Sequence, residues 1–161
     1  MALVYLGIGS NEGNRRRLCQ AAIDTLSRHS GIDLVAQSQL REYPALTPDP
    51  HDMQAPYING VIAIRTSLMP ELLLDICDDI EKRLGRVRSG RRWGPRPIDI
   101  DLLAYDDLVW TPAQGRPTLP HPELHQRPFV LEPLAEIAPD WEHPILKRTA
   151  TALLEALWSS S

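Results

Sequence analysis

Apolar positions along the chain switch between strand and helix period, and each switch marks an element. Residues 3–8 are almost continuously apolar and end in Gly9-Ser10-Asn11-Glu12-Gly13, which predicts a strand buried on both faces, then a turn. Residues 14–29 carry Leu18, Ala22 and Leu26 at four-residue spacing, the single apolar stripe of a helix. A second strand is predicted over 32–41. Residues 43–56 hold four prolines without any period, and read as a long loop of the kind that often carries function. Residues 57–66 form a strand with Ile58, Ile62 and Ile64 on one face and Tyr57, Asn59 and Val61 on the other. Pro70 opens the next helix, Leu72, Ile76, Ile80 and Leu84 form its stripe, and Gly85 stops it. A strand at 98–105, a short helix near 129–137 and a terminal helix near 145–158 complete the pattern. The β-α-β order, followed by a second helix and strand, predicts an α+β fold: a ferredoxin-like α/β sandwich, with helices packed on a mostly antiparallel sheet.

Length and composition narrow this further. At 161 residues with 43% hydrophobic and 24% charged positions, the chain fits one domain, residues 1–161, with no repeat or linker. No apolar run approaches a membrane span. Arg15, Arg16 and Arg17 follow the apolar start, the reverse of a secretory signal, so a cytoplasmic setting is expected. Cys19 and Cys77 lack any disulfide or zinc spacing and read as small buried hydrophobes. A net charge of -4 argues against a general nucleic-acid or membrane binder.

That charge is unevenly spread. Residues 82–96 hold seven cations (Lys82, Arg83, Arg86, Arg88, Arg91, Arg92, Arg96) and no acid, leaving the remainder at about -11. Five of them follow the helix stop among Gly90, Gly94, Pro95 and Pro97, so a phosphate-gripping loop is favoured over a solvated face. Directly after it, Asp99 and Asp101 stand two apart on a strand and project to one face, while Ile98, Ile100 and Leu102 face the core. Two adjacent carboxylates repel unless a cation lies between them, and Mg²⁺ is typically held by one or two carboxylates plus substrate phosphates. No P-loop occurs, and Gly7-Ile8-Gly9 lacks the third glycine of a dinucleotide fingerprint. His121 and His125 stand four apart, but Pro122 between them argues against a zinc pair and makes His121 a hydrogen-bonding loop residue. Trp110, Trp141 and Trp158 read as core or helix-packing residues.

The run Arg86-Val87-Arg88-Ser89-Gly90-Arg91-Arg92-Trp93-Gly94-Pro95-Arg96-Pro97-Ile98-Asp99-Ile100-Asp101 resembles the signature of the 6-hydroxymethyl-7,8-dihydropterin pyrophosphokinase family. Leu6-Gly7-Ile8-Gly9-Ser10-Asn11, Tyr57-Ile58-Asn59, Leu119-Pro120-His121 and residues 127–139 resemble its other segments. The resemblance implies transfer of the β,γ-pyrophosphoryl group of ATP to the hydroxymethyl of a reduced pterin, releasing AMP, in folate biosynthesis. It implies that Asp99 and Asp101 bind two Mg²⁺ ions, and that Arg86 and Arg96 act with them as the catalytic set. Arg88, Arg92 and Trp93 match a mobile loop. Glu81, Arg86, Arg88, Trp93, Arg96, Leu102, Arg116, Thr118, His121 and Arg127 match ATP-contact positions. Tyr57 and Phe129 match an aromatic pair around the pterin, with Tyr43, Pro44, Leu46, Asn59 and Trp93 completing that subsite. ATP and a reduced pterin are the implied partners, with no nucleic acid or membrane, and the implied state is a monomer.

Three departures stand out. Tyr43 replaces a small hydroxyl residue, Pro122 follows His121, and the 46–56 loop is longer than a compact family version. They motivate one alternative, a catalytically diverged pterin- or nucleotide-binding regulator.

Overall fold

The computed structural model of the chain describes residues 1–45, 49, 51, 54–85, 97–112 and 117–160. The elements run β1 (Ala2–Ser10), α1 (Arg15–Arg28), β2 (Ile32–Gln37), β3 (Arg41–Tyr43), β4 (Tyr57–Thr66), α2 (Pro70–Arg83), β5 (Asp99–Tyr105), α3 (Pro128–Ile137) and α4 (Ala150–Ser159). A 3-10 turn at Leu124–Gln126 precedes α3. All strand pairs are antiparallel, in the order β2-β4-β1-β5, with β3 also lying on β4. The α1 crossover takes β1 to β2 past β4, and the α2 crossover takes β4 to β5 past β1, which is the expected ferredoxin-like interleaving of two β-α-β units.

The near-continuous apolar run of β1 has its cause in this layering. Ala2, Val4, Leu6 and Ile8 pack with Ile58, Ile62, Ile64, Ile98, Ile100 and Leu102 under α1 and α2. The opposite face carries Tyr5, Val61, Ala63 and Leu103, covered by Val130, Leu131 and Leu134 of α3 and Leu153 and Leu154 of α4. Helices therefore cover both faces. Cys19 and Cys77 are fully buried, as expected, and burial pushes the Cys19 thiol up to about 12. No helix among the described residues is long and apolar enough to cross a membrane.

Several local expectations are corrected. In α1 the buried set is Cys19, Ala22, Ile23 and Leu26, with Leu18 only partly covered. In α2 the buried stripe is Leu73, Leu74, Cys77, Ile80 and Glu81, while Leu72 is 50% exposed. The 32–41 strand is split, because Val35 is a bulge against β4 and Ser38 is tied to Val61 by N–H to carbonyl and N–H to hydroxyl bonds, both 2.9 Å. Past that tie the chain re-pairs as β3, which brings Tyr43 from the expected loop into the sheet. The last helix begins at Ala150 rather than near 145, because the Thr149 hydroxyl caps it by accepting from the Ala152 N–H at 3.1 Å. Trp158 is 56% exposed and is no core residue.

Candidate functional site

The register of the sheet sets the site. Gly9 lies between Asn59 on β4 and Asp99 on β5, and Asn59 is paired in turn with Arg41 on β3. Arg41, Asn59, Gly9 and Asp99 thus form one row across four strands. Gly7 lies between Val61 and Asp101 in the row below, and Tyr43 pairs with Tyr57 in the row above. Opposite residues of an antiparallel ladder share a face, so these side chains point to the side that α3 and α4 cover further along. Asn59 and Asp99 are separated by two strand spacings, roughly 10 Å.

One glycine here makes room for the site. A β-carbon on Gly9 would stand 2.6 Å from Asn59 Nδ2 and 3.4 Å from a Tyr57 ring carbon, so the Asn59 carboxamide lies directly over the Gly9 backbone. Gly9, the second of the two glycines that fall short of a nucleotide fingerprint, is the clearing on which Asn59 rests. A glycine inside an otherwise apolar strand is the sequence signal for such a close approach.

On β5, Asp99 and Asp101 project together as expected, while Ile98, Ile100 and Leu102 enter the core. A bulge at Leu103 then turns both Leu103 and Ala104 toward the second helical layer. The backbone between the two aspartates is held from α2: the carboxylate of Glu81, only 1% exposed, accepts from the Ile100 N–H at 3.2 Å. Glu81 and the Leu102 side chain are therefore buried, and a ligand contact by Leu102 is left to its backbone.

The segment after β5 returns over the aspartates. His121 donates its backbone N–H to the Leu103 carbonyl at 2.8 Å and its Nδ1 accepts from the Glu123 N–H at 3.2 Å, which leaves Nε2–H as the donor of a neutral ring. Burial lowers its pKa, with Arg127 adding to the shift and Glu123 and Asp99 opposing it, so His121, Arg127 and Asp99 share one electrostatic neighbourhood. Arg127 pairs with Glu123, and its guanidinium lies 5.5 Å from the Phe129 ring centre. Phe129 meets the Tyr43 ring at 6.3 Å and a 59° tilt. Burial, with Glu132 adding to it, raises the Tyr43 phenol. Tyr43 therefore takes its place in the aromatic wall despite its bulk. Thr118 is half-buried beside the Trp110–Leu119 bridge.

The turn after β1 fixes the chain entering β4. Asn11 donates to Gln54 at 3.2 Å and to the Ala55 carbonyl at 3.3 Å, and Arg15 donates to the Pro56 carbonyl at 2.7 Å. Tyr57 and Asn59 are set by these ties. The structure thus brings together Tyr43, Tyr57, Asn59, Asp99, Asp101, His121, Arg127 and Phe129, with Pro44 next to Tyr43. His125 does not join His121; it meets His143 edge-on at 6.1 Å. Leu46, Arg86, Arg88, Arg92, Trp93, Arg96 and Arg116 lie outside the described residues.

Among the described residues no three His, Cys, Asp or Glu side chains converge as a protein-only metal cage. Two hard carboxylates on one strand face do fit Mg²⁺, whose remaining ligands are ordinarily substrate oxygens and water.

Comparison with known proteins gives one answer. The family model for 7,8-dihydro-6-hydroxymethylpterin-pyrophosphokinase matches residues 5–139. A protein of Methylorubrum extorquens named 2-amino-4-hydroxy-6-hydroxymethyldihydropteridine pyrophosphokinase is 44% identical over 140 residues, 87% of this chain and 85% of that one. A Synechocystis protein of the same name is 41% identical, covering 93% of this chain and 73% of its own. Among solved structures, the wild-type Plasmodium falciparum HPPK-DHPS with SDX-DHP superposes with a TM-score of 0.77 at 14% identity, over 99% of this chain. That likeness speaks for the fold, and this chain spans 44% of that longer one.

Proposed function

This chain belongs to the 7,8-dihydro-6-hydroxymethylpterin-pyrophosphokinase family, and we propose that its site performs the family reaction with the residues named above. The enzyme transfers the β,γ-pyrophosphoryl group of ATP to the hydroxymethyl of 6-hydroxymethyl-7,8-dihydropterin in folate biosynthesis. The hydroxymethyl oxygen attacks the β-phosphorus and gives up its proton to solvent, the bond from that phosphorus to the α,β-bridging oxygen breaks, and AMP leaves. The regulator alternative is not favoured, since relatives more than 40% identical along most of this chain are named pyrophosphokinases.

The observation that carries the reading is the row joining Asn59 and Asp99 across Gly9. Its span of roughly 10 Å matches a flat bicyclic ring held against Asn59 with the hydroxymethyl oxygen toward the carboxylates. In this reading Tyr57 and Phe129 flank the ring, with Tyr43, Pro44, Leu46 and Trp93 around it. Asp99 and Asp101 hold two Mg²⁺ ions, which when bound neutralise phosphate charge and orient the triphosphate. Arg86 and Arg96 donate to the migrating group as charge develops on it. Arg88, Arg92 and Trp93 close over both substrates and exclude water. Neutral His121 presents Nε2–H, and Arg127 a cation, on the nucleotide side, with Glu81, Leu102, Arg116 and Thr118 completing that subsite. Glu81 does so by fixing the β5 backbone. The whole chain acts as one domain, a cytoplasmic monomer.

Asp99→Asn and Asp101→Asn test the assignment. Each is expected to abolish pterin-dependent AMP formation while keeping the thermal midpoint of the unsubstituted chain. Turnover within ten-fold of normal in either variant would remove the metal-binding role.

A further inference from the structure

Three polar atoms on neighbouring strands of the site face are buried without a hydrogen-bond partner among the described residues, Arg41 Nη1 and Tyr43 Oη on β3 and Asn59 Oδ1 on β4, and of these Arg41 and Asn59 pair across the ladder. The two residues are directly opposite each other in the ladder, so their side chains leave the sheet about 5 Å apart. One is a fixed N–H donor and the other a carbonyl acceptor. A buried donor and a buried acceptor left unmade are each unfavourable, and such groups in native structures call for a partner.

The geometry around Arg41 holds that donor in place. Its other arm, Nη2, is paired with Glu136 Oε1 of α3 at 2.5 Å, and Glu136 Oε2 accepts from the Gln39 N–H at 3.0 Å. The carboxylate is thus tied at both oxygens, to Arg41 and to the Gln39 N–H, and holds the guanidinium by one arm. Asn59 is fixed from its other side by the Gly9 clearing.

We propose that Arg41 is a specificity-determining binding residue of the pterin subsite, its Nη1–H donating to the ring carbonyl of the substrate while Asn59 Oδ1 accepts from the N–H next to it. The inference rests on the pterin reading of this site. A lactam edge offers an acceptor and a donor side by side, the complement of this pair. A permanently charged donor also rejects a ring bearing an amino group in place of the carbonyl, because two donors would then face each other without an acceptor.

The competing reading is that Arg41 and Glu136 merely staple β3 to α3. Arg41→Met, Arg41→Lys and Glu136→Gln separate the two. The readouts are KM for 6-hydroxymethyl-7,8-dihydropterin and for ATP, and calorimetric Kd for 6-hydroxymethylpterin and for its 4-amino analogue. Arg41→Met is expected to weaken pterin binding by roughly 10- to 100-fold, to leave the ATP KM within two-fold, and to erase the preference over the 4-amino analogue. Arg41→Lys, which keeps the charge but loses the fork, should fall between, and Glu136→Gln should weaken pterin binding by a few-fold. A folded Arg41→Met with a lowered thermal midpoint but unchanged pterin Kd and preference would overturn the proposal in favour of the staple. If that variant does not fold, an Arg41→Lys enzyme with unchanged Kd and preference overturns it equally. Pterin-dependent AMP formation alongside unaltered binding in the variants sinks this inference alone. A chain that neither binds nor turns over the pterin removes the reading beneath it.

Discussion

Gly9→Ala separates what the sheet needs from what the site needs. The added methyl would meet Asn59 Nδ2 at 2.6 Å, whereas ordinary contact begins near 3.4 Å, so the carboxamide must withdraw by about 0.8 Å. Asn59 Nδ2 is the end of a side chain, so the strand itself need not move. The strain of that adjustment is about 1 kcal/mol, and replacing glycine by alanine in an extended strand returns a similar amount through the unfolded chain. The thermal midpoint should therefore stay within about 4 °C of the unsubstituted protein. Substrate recognition is not compensated in this way. A carboxamide moved by nearly an ångström loses a hydrogen bond worth about 1 to 1.5 kcal/mol, or roughly ten-fold in pterin affinity. Differential scanning calorimetry and titration with 6-hydroxymethylpterin measure the two quantities. Unchanged pterin affinity in a folded Gly9→Ala would show that Asn59 does not contact the ring. A fall of more than about 10 °C would show that Gly9 serves packing instead.

Other consequences are as specific. Glu81→Ala leaves the buried Ile100 N–H without an acceptor and opens a void under β5, which should destabilise by about 2 to 4 kcal/mol, whereas Glu81→Gln keeps an acceptor and should lose less than half of that; equal midpoints for the two variants would contradict it. Leu73→Ala should destabilise by about 2 to 4 kcal/mol while Leu72→Gln stays within about 0.5, and denaturant unfolding giving the reverse order would restore the simple four-residue stripe of α2. Burial, with His125 adding to it, lowers the pKa of His143, whose Nδ1 accepts from the N–H groups of Ile145 and Leu146 at 3.2 and 3.1 Å. The folded form thus binds its proton less readily than the unfolded chain, so stability from this residue is present above about pH 6.5 and is lost as pH falls through the folded value. Midpoints measured from pH 8 to 5 should decline at the acid end, and His143→Asn should flatten that decline; an unaltered slope refutes the assignment.

Much of the fold is legible in the chain because hydrophobic period and the order of elements along the chain are local properties. The alternation Ile98, Ile100, Leu102 against Asp99 and Asp101 needs only the pleat of a strand, and the structure follows it. The four-residue stripes are a poorer guide. They mark the helices but miss Cys19, Ile23, Leu73 and Cys77, because the buried arc of a helix over a sheet is wider than one row and small residues fill its closest approaches. The bulges at Val35 and Leu103 leave no mark in composition, being set by pairing with distant strands. For the same reason Arg41 is invisible in the sequence: its meaning comes from Asn59, eighteen positions away, and from Glu136 on α3. The carboxylate pair, by contrast, is visible because both its members lie on one strand.

The most direct test of the central claim follows the phosphorus itself. The full chain is incubated with Mg²⁺, ATP labelled at the β-phosphorus and 6-hydroxymethyl-7,8-dihydropterin, and the products are separated. Pyrophosphoryl transfer predicts that the label appears on the pterin in equal amount with unlabelled AMP, and only when the pterin is present. Label retained in ADP, or AMP formed without the pterin, would contradict it.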